Sequence, residues 1–333
     1  MKGCKGGGGQ TSATAPLTAA TFALALASTS LGSVGCADIT GLSGFGVDAG
    51  VGGSASATGP GGSSGSLGGD EPSGGDSSTA AGGNASSVLD DGDLVVRYYF
   101  DEADEGLVAT AFDASPLQAH LTLYDDLSGM SYTEDAAGNR GIRWLAVEGG
   151  GRAQLDDTAA LVDALNATTG ITVEVVVQAE QASSGCPRFF HYGDAGGDGS
   201  LAACMDTDPL EQVELRLHGA DVAVTDAGGL AALLAGGRQV LHFVLDHAAA
   251  NAQDRARYYV DGGLVVNGAN GVSAVPQQPF ALPSNRSLVI GNRPSQDRSP
   301  RGVIYYTAIY AAAFTGDRVA NHAAILLAND DTP

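Results

Sequence analysis

Arg257-Tyr-Tyr-Val-Asp-Gly-Gly-Leu-Val-Val266, Ser287-Leu-Val-Ile-Gly-Asn-Arg293 and Val303-Ile-Tyr-Tyr-Thr-Ala-Ile-Tyr-Ala-Ala-Ala-Phe314 are three β-rich runs punctuated by turn residues. β-Branched and aromatic residues fill the runs, which is the composition of strands rather than helices. Asp261-Gly262-Gly263 supplies the positive φ that a tight hairpin needs, so the first run predicts two antiparallel strands. Working back along the chain, the same pattern recurs in Leu94–Phe100, His120–Tyr124, Ile142–Val147, Ala153–Leu155 and Ile171–Val177. It continues in Arg188–Tyr192, Leu201–Met205, Val213–His218, Asp221–Thr225 and Val240–Leu245. About a dozen short strands with frequent turns predict an all-β fold of two packed antiparallel sheets. Two helical pieces interrupt it, Thr158–Leu165 and Thr315–Leu327, the second with an N-cap Thr and apolar residues at helical spacing.

Composition divides the 333 residues. Residues 1–36 begin Met-Lys-Gly-Cys-Lys, continue as an apolar run from Ala15 to Leu31, and end Ser33-Val34-Gly35-Cys36. A basic start, a short apolar centre and small residues before a break predict an export signal. The run is too short and too rich in Ser and Thr for a membrane-spanning helix. Ser33–Cys36 resembles the bacterial lipobox, with Ser33 where that motif usually has Leu, and the resemblance implies lipidation at Cys36. Residues 37–86 are almost wholly Gly, Ser, Ala, Thr, Pro and Asp. They lack the apolar surface to offset ordering entropy and read as a disordered linker. Residues 87–333 are left for one domain.

The net charge is −22, and residues 87–333 hold 33 of the 38 acids and all 14 Arg. A surface this acidic excludes nucleic acid as a partner, since phosphate binding needs a basic face. Beyond the signal only Cys186 and Cys204 remain, an even number in an exported chain, which predicts a disulfide. A hairpin symmetric about Ala195 places them opposite each other.

The order of motifs over 94–328 resembles laminin-G-like, concanavalin A-like jelly-roll domains. The resemblance rests on Tyr99-Phe-Asp-Glu102, Phe112-Asp-Ala-Ser115 with Gln118-Ala-His120, Ile171-Thr-Val-Glu174, Tyr258-Tyr-Val-Asp-Gly262, Ile290-Gly-Asn292 and Thr315-Gly-Asp317. Pro116 replaces a family Gly, and Val176 stands where the family has Trp. The resemblance implies a two-sheet jelly-roll sandwich with a short C-terminal helix, binding a glycan or a surface protein.

Some concanavalin A-like folds are glucanases and need two carboxylates about 5–10 Å apart. Glu174 and Glu180 share a strand face, but six residues at ~3.3 Å separate them by ~20 Å. A non-catalytic binding module is therefore expected, with a divergent hydrolase or a structural envelope domain as the alternatives. His242 and His247 face opposite ways on a strand, and no zinc motif is present. Sugar stacking requires exposed aromatics, and Tyr192, Tyr259, Tyr306 and Tyr310 are the candidates. Calcium is the one candidate cofactor, with Asp194, Asp198, Asp206 and Asp208 gathered around the Cys hairpin as candidate oxygen ligands.

Overall fold

The computed structural model describes residues 88–102, 109–125, 128–146, 149–194, 197, 199–208, 211–217, 221–267 and 277–329. The expected signal with Cys36, the linker and Asp198 lie outside these residues. Sixteen strands are described: β1 (Leu94–Tyr98), β2 (Thr110–Ala111), β3 (Leu121–Tyr124), β4 (Met130–Glu134), β5 (Arg140–Trp144), β6 (Arg152–Leu155), β7 (Gly170–Gln181) and β8 (Arg188–Gly193) form the first half. The second half is β9 (Leu201–Asp206), β10 (Gln212–Leu217), β11 (Asp221–Ala227), β12 (Arg238–Asp246), β13 (Ala256–Val260), β14 (Gly263–Asn267), β15 (Ser287–Ile290) and β16 (Arg301–Tyr310). Three α-helices join them: α1 (Ala159–Asn166), α2 (Gly229–Ala235) and α3 (Gly316–Ala328). None of the described helices is long and apolar enough to cross a membrane.

The strands make two antiparallel sheets. The first has the order β14-β13-β12-β7-β16-β5-β4, with β1 also paired on β16. The second has the order β11-β10-β9-β8-β15-β6-β3-β2. The fold is thus the two-sheet β-sandwich expected, closed at its C-terminus by a helix. Alternation of side chains sends one set from each strand between the sheets. Val173, Val175 and Val177 of β7 meet Phe190, Ala203 and Leu215 of the second sheet in one continuous apolar core.

The centre of the first sheet is buried on both faces, which is why β7 and β16 read as near-continuous hydrophobic runs. Its outer face is covered by α3. Thr315 caps that helix by accepting a hydrogen bond from Arg318 N, and Val319, His322, Ala323 and Leu326 form its buried stripe. The i, i+3, i+4, i+7 spacing puts these four on one side of the helix. They pack with Val176, Val240, Tyr306 and Tyr310 in a second, smaller core.

Local chemistry matches the turns. Asp261 and Gly262 take φ of 50° and 82°, the two positive values of the expected hairpin turn. Gly291 has φ 70°, and a Cβ there would lie 2.1 Å from the Trp144 ring, so only glycine fits against that buried indole.

Cys186 and Cys204 form the expected disulfide, with Cα atoms 5.2 Å apart. The route to it differs from expectation. The β8–β9 ladder pairs Arg188 with Cys204 and Tyr192 with Leu201, with a bulge between Arg188 and Phe190. The hairpin is therefore not centred on Ala195, and Cys186 is no ladder partner. Gly185 and Cys186 have φ of 92° and 62°, which turns the chain back over the strand end and brings the two Cys together. The bridge closes a sequence separation of 18 residues. Replacing both Cys by Ala is expected to lower unfolding free energy by about 3 kcal/mol. Urea denaturation of the variant against the oxidised parent measures it.

Candidate functional site

The residues expected to stack on sugars are inside the protein. Tyr192 is 2% exposed, Tyr259 4%, and Tyr306 and Tyr310 are sealed. Tyr192 points between the sheets and donates its hydroxyl to Pro283 O. The other three lie on the outer face of the first sheet, with Tyr306 and Tyr310 in the small core that includes α3. None presents a ring to solvent, so the expectation of a stacking surface at these four positions is corrected.

Tyr306 and Tyr310 belong to a buried polar network centred on Glu174. Glu174 Oε1 accepts from His242 Nε2 at 2.9 Å and from His322 Nδ1 at 2.8 Å. Its Oε2 accepts from Tyr306 Oη at 3.2 Å. Arg97 donates Nε to Tyr306 Oη at 3.1 Å and a terminal nitrogen to Tyr310 Oη at 3.0 Å, and it pairs with Asp91 at 2.6 Å. His322 Nε2 accepts from Asp90 N at 3.2 Å, so its proton sits on Nδ1. Glu174, His242 and His322 come from β7, β12 and α3, so the carboxylate ties the helix to the central strands.

Burial pushes the Glu174 carboxyl up, but the hydrogen bonds from His242 and His322 outweigh it and hold the group well below the usual carboxylate range. Glu174 is thus a structural anchor. Glu180, its expected partner in a glucanase, is paired with Arg143 and Arg301. The two do not converge.

The candidate calcium ligands are also dispersed. Asp194 pairs with Arg286 at 2.5 Å, beside the β8–β9 turn. Asp206 pairs with Arg216 at 3.4 Å at the opposite end of β9, with Asp208 N on Asp206 Oδ1 at 3.0 Å. The length of β9 separates Asp194 from Asp206 and Asp208, because a strand places its ends far apart. Among the described residues the metal-like grouping is Cys186, Cys204 and Glu214, and there the two sulfurs are bonded to each other. Asp113 is spent on neighbouring chain segments: it accepts from the backbone N–H of Arg97, Ser115 and Ala119 and from Ser115 Oγ at 2.7–2.9 Å.

An accessible platform lies elsewhere, on the outer face of the second sheet at its β2-β3-β6 end. Ala153 and Leu155 of β6 point into the core, so Arg152, Gln154 and Asp156 line the opposite face. β3 pairs Tyr124 with Arg152 and Thr122 with Gln154, which sets Tyr124 and Thr122 beside them. The Arg152 guanidinium lies 4.2 Å over the Tyr124 ring. Tyr124 donates its hydroxyl to Asp156 at 2.8 Å, and that bond raises the phenol's pKa. Beyond β3, Phe112 is 56% exposed and meets the His120 ring edge-on at 5.2 Å. His120, Gln118 and Asp157 border a cleft of about 490 Å³ against the start of α1. The sequence carried a signal for this platform in the alternation of Arg152-Ala-Gln-Leu-Asp156, polar outward and apolar inward.

Among the described residues, the part of that outer face beside the disulfide is closed. Arg188 and Glu214 are 1% and 3% exposed although they point away from the core. Arg188 N donates to Arg298 O at 2.7 Å, so the segment after β15 lies against the sheet there.

No family model matches the chain, and no curated protein matches it. Solved structures resemble it in part. Domain 4 of AbnA, a GH43 extracellular arabinanase from Geobacillus stearothermophilus in complex with arabinotriose, is 18% identical with a TM-score of 0.44, over 69% of this chain and 98% of that one. Trypanosoma rangeli sialidase in complex with sialic acid is 14% identical with a TM-score of 0.49, over 72% of this chain. The match spans 34% of the sialidase. The binding domain of botulinum neurotoxin DC in complex with rat synaptotagmin II is 8% identical with a TM-score of 0.48, over 70% of this chain and 52% of that one.

A carboxyl held low in the folded state contributes stability above its ordinary value of about 4.3 and loses it as pH falls below. Stability is therefore expected to decline from about pH 5 downward as Glu174 is forced to protonate. Glu174→Gln is expected to cost about 3 kcal/mol at pH 7 and to flatten that decline. Urea unfolding at pH 7, 5 and 4 for both proteins measures both effects.

Proposed function

We propose that this chain is a non-catalytic binding module of the laminin-G-like, concanavalin A-like kind, and that its platform on β2, β3 and β6 takes a glycan. The observation that carries the reading is the grouping of half-buried Tyr124 with Arg152, Gln154 and Asp156 on one face, with exposed Phe112 further along the same strand pair beside His120. A pyranose has apolar C–H faces and a hydroxyl rim. Flat aromatic rings suit the faces, and planar guanidinium, amide and carboxylate groups suit the hydroxyls. Sites of this kind join an apolar surface to a few placed polar groups.

Two features support a binding role over hydrolysis. Glu174 is sealed beneath α3, and Glu180 is held by two arginines. The disulfide supports an oxidising compartment and hence export. With lipidation at Cys36 and a Gly/Ser-rich tether over 37–86, the module would stand off the bacterial envelope. The high acidity supports a partner other than nucleic acid.

Glycan-array binding of the exported form tests the proposal. Binding is expected, and Phe112→Ala or Tyr124→Ala should each weaken it at least tenfold with the thermal midpoint retained. Tenfold corresponds to about 1.4 kcal/mol, within the usual range for truncating an aromatic contact. Absence of binding would favour the structural envelope domain, and release of sugars from a polysaccharide would favour the hydrolase. Metabolic labelling with a fatty acid is expected to mark the chain and to fail in Cys36→Ala.

A further inference from the structure

A second cavity, of about 380 Å³, opens at the side of the sandwich where the edge strands of the two sheets approach each other. Its walls come from β11, α2, β12, β13 and β14. Leu233, Val260 and Val265 make it apolar, and the buried Tyr258 ring, stacked on Phe243 at 5.0 Å, lies among them. Two polar side chains, Asp226 and Gln239, complete the lining.

Asp226 is half-buried and Gln239 is buried. Asp226 is paired in register with Val213, which points into the core, so its carboxylate also turns to the inner side of the sheet. Burial is the one influence on that carboxyl, and it pushes the pKa up from the ordinary value. The carboxylate is not the cap of α2, whose N-cap Gly228 carries no side-chain hydrogen bond. Gln239 is 8% exposed, and its Oε1 has no hydrogen-bond partner. Leaving a buried acceptor unpaired costs stability, so native proteins seldom do so without a reason.

The glycines at the two ends of α2 make the space. A Cβ on Gly229 would fall 1.7 Å from Asp226 Oδ2, and one on Gly236 would fall 2.5 Å from the Gln239 amide. The run Gly228-Gly-Leu-Ala-Ala-Leu-Leu-Ala-Gly-Gly237 therefore seats a short helix while leaving room for both polar side chains. A β-sandwich edge could be closed by apolar residues alone. Here it is closed around a carboxylate, an amide oxygen and an aromatic ring.

We infer that this cavity is a binding site for a small alkylammonium group. The group's N–H donors satisfy Asp226 and Gln239, its charge neutralises the carboxylate, its apolar chain lies on Leu233, Val260 and Val265, and the Tyr258 ring adds cation–π attraction. The site is separate from the glycan platform and does not depend on it. A free amine and a lysine side chain share this chemistry.

The test uses the full chain, titrated with n-butylammonium chloride and, separately, with Nα-acetyl-lysine N-methylamide, followed by calorimetry and amide chemical shifts. Saturable binding of at least one probe is expected, with shifts at Asp226, Gly228 and Gln239, and the tighter probe distinguishes free amine from side chain. Asp226→Asn should weaken binding at least tenfold while keeping or raising the thermal midpoint, because it removes a partly desolvated charge. Gln239→Leu serves as a second variant with the same expected direction. Saturation by neither probe, equal binding by n-butanol, or unchanged affinity in Asp226→Asn would overturn the assignment.

Discussion

A single buried carboxylate holds the outer half of this sandwich together. Glu174 sits at the centre of the first sheet and accepts from His242 on the neighbouring strand, from His322 on the C-terminal helix and from Tyr306 on the other flank. An ionised group in such a place is tolerable only when hydrogen bonds replace the water it has lost. Three donors do so here, and Arg97 supplies the countercharge through the two tyrosine hydroxyls. The apolar stripe of α3 would pack on many surfaces. The His322 bond gives it one registered position.

That arrangement decides which surfaces are left for function. With α3 seated, the centre of the first sheet's outer face is core, and its tyrosines are structural. On the second sheet, the segment after β15 lies against the start of β8 beside the disulfide, and Arg188 and Glu214 are buried there. The β2-β3-β6 end remains open, and there Phe112, Tyr124, Arg152 and Asp156 stand at the surface. The site is defined as much by what covers the other faces as by its own residues.

The sandwich was legible in the sequence because each strand is a local pattern. Ile171–Val177 is the clearest case, and the Asp261-Gly262 turn took the conformation its residues demand. β4 was missed because Met130-Ser-Tyr-Thr-Glu134 is a half-exposed edge strand with little apolar alternation. α2 is not marked in the sequence, being only seven residues long between glycines. The disulfide partners followed from their number, but the register did not, since a bulge and a left-handed Cys186 are tertiary accommodations. The tyrosines show the same limit for the site. Alternation tells which face of a strand a residue occupies, and only the folded chain tells that α3 lies on that face. Glu174, His242 and His322 are 68 and 80 residues apart in sequence and no spacing joins them.

The protonation pattern of the network tests this account most directly. Nitrogen-15 shifts of the histidine rings at neutral pH report which nitrogen carries the proton. The bonds to Glu174 and from Asp90 N require His322 to be protonated on Nδ1 alone. His242 should be protonated on Nε2 alone, because its buried Nδ1 has no partner. Two neutral rings with these opposite tautomers would establish the ionised Glu174 anchor; a shared tautomer, or rings averaging as exposed imidazoles do, would contradict it.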